Sequence, residues 1–431
     1  MADAAEVTGS RRILPRRPVF FGWWVVAAGS ALQFFSSALL GQAYGTYVVL
    51  LRNDFGWSKT VLSAASSLRE AESGIISPIQ GLLLDRLGPR NVTRAGVILL
   101  GAGFMGFSQV DSILTFYLAF FVMSLGASLS GYTSITFAAV HWFDRKRSTA
   151  ISLTSTGFAL GGMAVPLTVF ALEHLGWRET AFLSGIIIIA AGIPLAQFIR
   201  IDLHAMGLRP DGDAPDRDTS NDDPNRDGAV DFTLREAVRE PSFWWVAAGH
   251  TSALFIVSAM SVHLVSFLHD GQGYSLGKAA AILFVMTIVQ FFGTLTGGPI
   301  GDRFSKRWLA TICMGMHVAG LLMLSHATGL AMVLGFAVLH GLAWGWRGPQ
   351  MAAIRADYFG RASFGAILGV SNLLIIVGTI AGPLIAGFVY DRTGTYQVGF
   401  DILAGIAAVG SVSFLLARRP GPPARLRSPL I

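Results

Sequence analysis

Several polar side chains stand inside long apolar stretches of this sequence, where each has to be satisfied by a partner or a cavity. Arg69, Glu70 and Glu72 lie ten to thirteen residues into one such stretch, about 15–20 Å from its end at ~1.5 Å per residue. On a helix Arg69 and Glu72 share a face and can neutralise each other, whereas Glu70 points about 100° away and stays unmatched. An unmatched carboxylate in low dielectric is a candidate for reversible proton uptake, so Glu70 and Glu72 are proton-coupling candidates. An ion-pair network that locks the helix to its neighbours is the competing reading. His340, Trp344 and Arg347 fall at i, i+4 and i+7 of a second stretch, on one stripe. There Arg347 can grip a carboxylate through its planar fork, Trp344 can pack on an apolar body, and His340 can donate a hydrogen bond or titrate. The competing reading is that Arg347 snorkels to the membrane surface. Gln33, Ser36, Ser37, Tyr44 and Tyr47 form a polar face on a third stretch, with Gln42 opposite; such a face must meet protein or a cavity. The candidate binding residues are therefore Arg347, Trp344, His340, Arg69, Gln33, Tyr44 and Tyr47.

A second set of residues is repeated. Gly81-Leu82-Leu83-Leu84-Asp85-Arg86-Leu87-Gly88-Pro89-Arg90 returns degenerately as Gly298-Pro299-Ile300-Gly301-Asp302-Arg303-Phe304-Ser305-Lys306-Arg307, placing Asp85 and Asp302 217 residues apart in a chain of 431. Trp57-Ser58 and Tyr274-Ser275, Trp142-Phe143 and Tyr358-Phe359, and Pro166-Leu167 and Pro383-Leu384 keep nearly the same offset. A duplication of this length predicts two bundles with a shared interface. In the repeated loop a Gly permits close helix approach and the Asp can accept hydrogen bonds from a neighbouring helix end. The basic residues can pair with carboxylates or headgroups. Asp85, Arg86, Gly88, Arg90, Asp302 and Arg303 are the gating candidates, with the fuller first copy expected to matter more. A plain topology anchor is the alternative. Polar residues without a counterpart at this offset call for another explanation: Arg69 aligns with Met286, Glu72 with Val289, and Arg347 with Ser130.

These residues have to be positioned by helices in a membrane. Hydrophobic residues make up 52% of the chain and charged ones 13%, with mean hydropathy +0.56, against about 25% charged in soluble domains. A requirement of about 20 apolar residues per span places helices near 19–51, 59–84, 92–110, 113–140, 148–171 and 179–199. A second six run near 243–268, 278–300, 308–326, 328–353, 363–389 and 396–417. The first is expected to be retained as a span rather than cleaved. The great majority of the 32 Lys and Arg residues fall in the tails and alternate loops; the opposite loops hold Arg52, Lys59, Arg178, Lys278 and Arg392, and Arg69 and Arg347 fall inside spans. Positive residues resist translocation, so both termini are expected to be cytoplasmic. The domain plan is a tail (1–18), a six-helix bundle (19–200), a cytoplasmic linker (201–241), a second bundle (242–417) and a tail (418–431). The linker is acidic and too polar to build a core; Thr233-Leu234-Arg235-Glu236 within it reads as a capping box opening a short helix.

The loop GLLLDRLGPR and its weaker copy resemble the signature of the major facilitator superfamily between spans two and three and between spans eight and nine. The resemblance covers residues 19–417. Asp54-Phe55-Gly56-Trp57-Ser58, the run from His141 to Arg147, Gly176-Trp177-Arg178 and Ala356-Asp357-Tyr358-Phe359-Gly360 resemble the oxalate/formate antiporter and monocarboxylate transporter branch. The resemblance implies an all-α membrane protein of twelve transmembrane helices in two pseudo-symmetric six-helix bundles, moving small organic anions with a proton or by exchange. The chain departs from that branch in spans eight and eleven, where the branch places basic residues and Ala279–Pro299 and Ser363–Phe388 hold none. The substrate is therefore not carried over.

The other classes fare worse. A pI near 9.7 does not point to nucleic acid, because the Arg residues lie between apolar spans rather than on a polar domain. No His or Cys pair has metal-ligand spacing and no phosphate loop ends in Lys-Ser/Thr, so neither a metal, a cofactor nor an enzyme is expected. Cys313, the single cysteine, reads as a packing residue. His250 and His263 lie about 140° apart on span seven and read as hydrogen-bonded packing residues. The expected function is secondary transport of a small organic anion, most simply a monocarboxylate, by alternating access in the cell membrane. The chain is expected to work as a monomer, with a proton or counter-substrate as its second ligand. A proton-driven exporter of amphipathic compounds and a non-transporting sensor are the alternatives; the fourth span lacks the Arg of the exporters, and the acidic linker is too small and polar for the soluble signalling domain expected of a sensor.

Overall fold

The computed structural model describes residues 19–41, 43–203, 206–213 and 231–426. Gln42, both tail ends and the acidic run from Asp216 to Asp227 lie outside the described residues. α1 (Phe21–Ser36), a π-helical turn (Ser37–Gly41) and α2 (Tyr44–Phe55) make the first span. There follow α3 (Lys59–Phe107), α4 (Ile113–Ser130), α5 (Tyr132–Trp142), α6 (Arg147–Met163), α7 (Val165–Leu175) and α8 (Trp177–Ala196). The short α9 (Leu234–Ala237) leads into α10 (Pro241–Ser266), extended by a π-helical turn (Phe267–Gly271). α11 (Leu276–Arg303), α12 (Lys306–Ser325), α13 (Leu330–Phe359), α14 (Phe364–Thr393) and α15 (Gln397–Leu416) complete the second half. No strand occurs among the described residues.

Ten helical stretches are long and apolar enough to cross a membrane, and α3 supplies two more spans. Its backbone breaks at Gly88, whose φ of 74° and ψ of 157° are open to glycine and strained for other residues. Both limbs then run along α4 in opposite directions. Glu72 meets Ser124 and Gln80 donates to the Ser128 carbonyl at 2.8 Å, while on the return limb Gly103 packs on Met123 and Gly96 on Ser130. The expected 2–3 loop is thus a sharp turn within near-continuous helix. The matching starts of α3 and α11 carry the repeat down to single bonds. Ser58 accepts from the Val61 amide at 3.2 Å and Ser275, its counterpart, from the Lys278 amide at 3.3 Å. Each satisfies one of the free amides that every helix start leaves.

One apolar core fills the first half, around Phe104, Phe116, Phe120 and Trp142, and another the second half, around Met260, Met314, Phe336 and Phe400. The halves meet in two pseudo-equivalent places: the first limb of α3 against α14, and α11 against α6. Small residues permit both contacts. Gly81 and Gly369 lie against the Gly365 and Ser77 carbonyls, and a Cβ on Gly298 would stand 2.7 Å from Thr149 Cα.

The linker is not a free tether where it is described. The Asp211 carboxylate accepts from the backbone amides of Asp144, Arg145 and Lys146 at 3.1, 2.8 and 3.3 Å. At its other end Asp231 accepts from the Arg361 and Ala362 amides at 2.6 and 3.1 Å, and Phe232 packs against Phe243 and Phe359. The capping box forms: Thr233 N–H donates to Glu236 at 2.8 Å and Glu236 N–H to Thr233 at 3.3 Å.

Candidate functional site

The repeated aspartates do closely related work. Asp85 accepts from the Gly365 and Ala366 amides at 3.0 and 2.8 Å, at the first turn of α14. Asp302 accepts from the Ser148 and Thr149 amides at 2.8 and 3.1 Å and from the Thr149 hydroxyl at 2.6 Å, at the first turn of α6. Each half thus places a carboxylate on the free amides and positive dipole end of a helix in the other. Asp302 has the larger set of donors, although the first copy has the fuller motif. Arg86 and Arg303 are exposed, and Arg90 donates to Gln197 at 2.8 Å within the first half.

Beside the clasps runs an ion-pair network absent from the gating candidates. Arg147, 3% exposed, donates to Asp144 at 2.9 Å and to Asp357, Lys306 pairs with Asp357 at 2.7 Å, and Arg361 with Asp144 at 3.0 Å. The sequence held a signal for it. Asp144 and Arg361 are counterparts at the repeat offset with opposite charge, as residues facing each other across a two-fold axis can be. The clasps and this network gather at the Arg-rich end of the molecule and hold the halves together there.

Towards the other end the halves enclose a cavity of about 360 Å³. Its walls carry Gln33, Arg69, Glu70, Tyr132, Asn372 and Thr379, with Ser73, Ser77 and Gln80 along α3. Arg69 is the basic residue of the lining and Glu70 its acid. Gln33 is committed by its amide nitrogen to the Thr154 carbonyl at 2.9 Å. Other candidates are elsewhere. Tyr44 donates to the Leu62 carbonyl at 2.6 Å and Tyr47 is buried against Phe107, neither on the lining. Glu72 does not form the ion pair with Arg69 that its spacing allows. It turns to α4, where the Ser124 hydroxyl donates to Oε2, and Oε1 has no partner.

Arg347 and His340 sit deeper, 1% and 0% exposed. Arg347 does not snorkel: its Nε and Nη1 have no hydrogen-bond partner. Trp344 is half-buried, with its ring 6.3 Å from that of His340. Arg355, assigned from sequence to a loop, is a correction. α13 runs on to Phe359, six residues past the expected end, and leaves Arg355 1% exposed. Its guanidinium donates to the Ser371 hydroxyl at 2.9 Å, to the Met351 carbonyl at 2.5 Å and to His250 Nδ1 at 3.3 Å. No salt bridge to a carboxylate is made by Arg347 or Arg355 among the described residues. Tyr132, 39% exposed, lines the cavity. Sequence reading missed it because a tyrosine beside Gly131 gives no periodic signal.

Known proteins fit this architecture. The chain is 24% identical over 420 residues to monocarboxylate transporter 12-B of Danio rerio, covering 92% of this chain and 87% of the relative. It is 25% identical over 408 residues to monocarboxylate transporter 13 of Bos taurus, covering 91% and 88%. Among solved structures, a bacterial homologue of the iron transporter ferroportin in an outward-facing state superposes with a TM-score of 0.71 at 14% identity, over 92% of this chain and 99% of that one; this likeness concerns the fold. The family model of the Major Facilitator Superfamily matches residues 26–295 and 275–430. With twelve spans, reciprocal clasps and an inter-half cavity in place, the chain belongs to the major facilitator superfamily.

Proposed function

We propose that this transporter moves a small organic anion, a monocarboxylate in the first instance, across the cell membrane by alternating access. The Arg-rich end and both termini face the cytoplasm in this reading, so the described state is closed inside and open outside. The observation that carries it is the pair of fully buried guanidiniums, Arg347 and Arg355, with no carboxylate partner among the described residues. An isolated buried charge costs several kcal/mol unless paired or solvated, and an anionic ligand would supply the missing partner. Arg69 in the cavity wall meets the anion first; Tyr132 and Arg347 receive it as the halves rock. The names of the monocarboxylate relatives agree with this class, and Arg69 gives the lining a fixed cation for a carboxylate.

The test is a thermal-shift and calorimetric screen of the purified full chain against acetate, pyruvate, benzoate and succinate, with the corresponding amides as uncharged controls. Carboxylates should bind and amides should not. A buried charge pair broken on one side costs about 2–5 kcal/mol, so Arg347→Gln should weaken binding by more than about 30-fold. Arg347→Lys should lose most of the affinity, because an ammonium cannot reproduce the planar fork. Both variants should stay folded, since removing Arg347 strands no carboxylate. A carboxylate that binds Arg347→Gln as tightly as wild type would move the anion site to Arg69.

A further inference from the structure

Two buried imidazoles beside Arg347 have no part in anion binding as described. His317 of α12 and His340 of α13 are both 0% exposed, with their Nδ1 atoms 3.1 Å apart and ring centres 4.6 Å apart. Phe336 closes over His340 at 5.0 Å. Neither Nε2 has a hydrogen-bond partner. The contact fixes the proton count: one ring donates through Nδ1–H and the other accepts at a bare Nδ1, so the donor ring has a bare Nε2 when neutral. One further proton can join that Nε2 without breaking the shared bond, which then becomes charge-assisted. A second would turn both Nδ1 atoms into donors and drive the rings apart. The pair has room for a single extra proton.

The surroundings decide when it is taken. Arg347 lies on the same face of α13 as His340, about two turns on, and α12 adds only the thiol of Cys313 to the same core. α11 has no ionisable side chain between Lys278 and Asp302, and α14 none between Phe364 and Tyr390. Asp401 of α15 is engaged at the far end by Ser325 at 2.5 Å. On the remaining neighbours, α10 offers His250, held by Arg355, and the distant His263, bonded to the Pro383 carbonyl. α5 offers Tyr132 and His141, the latter bonded to the Phe137 carbonyl. α6 has only Arg147, tied into the network at the Arg-rich end. Among the described residues, therefore, no carboxylate offsets a charge on the imidazoles. A proton there faces an unneutralised guanidinium until an anion arrives.

We propose that the His317–His340 pair takes up one proton when an anion docks on Arg347, so that the two move or are held together. The inference rests on the anion reading above. Anion binding and protonation then favour each other by linkage, and a monovalent anion enters with one proton. The experiment uses the full-length protein in weak buffer with a pH indicator, with pyruvate and benzoate as probes. Wild type should take up close to one proton per anion bound, and affinity should rise by up to about tenfold per pH unit lowered across the pair's titration. His317→Asn should still bind the probes, with uptake lost and affinity flat in pH, and His340→Asn should lose the uptake as well. Should both variants fail to fold, the wild-type uptake decides. Anion binding without proton uptake overturns the proposal and leaves the anion site intact. Uptake that survives in the histidine variants but vanishes in Glu72→Gln overturns it in favour of the first half's carboxylate. If neither probe binds, or Arg347→Gln binds them like wild type, the anion reading fails first.

Discussion

Replacing Asp302 by Asn leaves shape and volume nearly unchanged and removes the charge from one clasp. Its carboxylate receives two backbone amides and one hydroxyl at the first turn of α6. The amide oxygen of Asn can keep the two Thr149 donors that Oδ2 receives, while its NH₂ group then faces the Ser148 amide and cannot accept. A hydrogen bond to a charged group contributes about 1.5–3 kcal/mol, and a negative charge at a helix start about 0.3–1 kcal/mol more. The state joined at the Arg-rich end should therefore lose about 2–4 kcal/mol. At ~1.36 kcal/mol per tenfold this raises the population open at that end by at least about 30-fold. A thiol at Ser152 reads this out: the residue is fully buried under the junction, its hydroxyl has no partner, and it lies against Gly298. In a Cys313→Ser background, Ser152→Cys should react with a maleimide slowly in the parent and at least about 30-fold faster with Asp302→Asn. Asp85→Asn also strands one amide, but at the α3–α14 junction rather than beside Ser152, and should show a smaller acceleration. An unchanged rate with Asp302→Asn would mean that the clasp does not hold the halves together and that the loop is a topology anchor.

Gly369→Val should act on the other junction, because the new side chain meets the Ser77 carbonyl and a Pro78 Cα 2.9 Å from its Cβ. Overpacking of about 1–3 kcal/mol should speed labelling of the same thiol; a rate equal to the parent would place the contact outside the gate. At the membrane surface, Glu236 has its carboxyl pulled below the ordinary 4.5, first by the Thr233 amide and then by the Thr233 hydroxyl and Arg425. A depressed carboxylate stabilises its contacts above the ordinary value and gives them up as pH falls through the folded value. α9 and the turn at Ala424–Leu426, tied to Glu236 by Arg425 at 3.0 Å, should come loose together in acid, seen as faster amide exchange at Ala237. Glu236→Gln should show fast exchange already at neutral pH; protection that stays flat into the acid range would rule out the contact as the tie.

The fold was legible because two strong signals agreed, a repeat at an offset of half the chain and apolar runs long enough to span. The positions of Asp85 and Asp302 followed from the repeat, and their donors from the rule that helix starts have free amides. What sequence could not show was depth. Arg355 is eight residues beyond Arg347, and only the true end of α13 tells a loop cation from a buried one. Glu72 and Arg69 share a face by spacing, yet Ser124 on a neighbouring helix takes the carboxylate. The His317–His340 contact joins two helices with no local pattern between them, and Tyr132 depends on how the cavity wall curves.

The clasps also bear on where the chain came from. Asp85 reaches into the second half as Asp302 reaches into the first, each onto the helix that corresponds to the other's target. Two identical subunits meeting about a two-fold axis make contacts of this reciprocal kind, because whatever one surface gives it also receives. A single six-span ancestor would have left its aspartate without an acceptor helix, and a pair of such ancestors would have satisfied both at once. A fused pair keeps such a contact while leaving each side free to differ, as Asp144 and Arg361 do at equivalent positions with opposite charge.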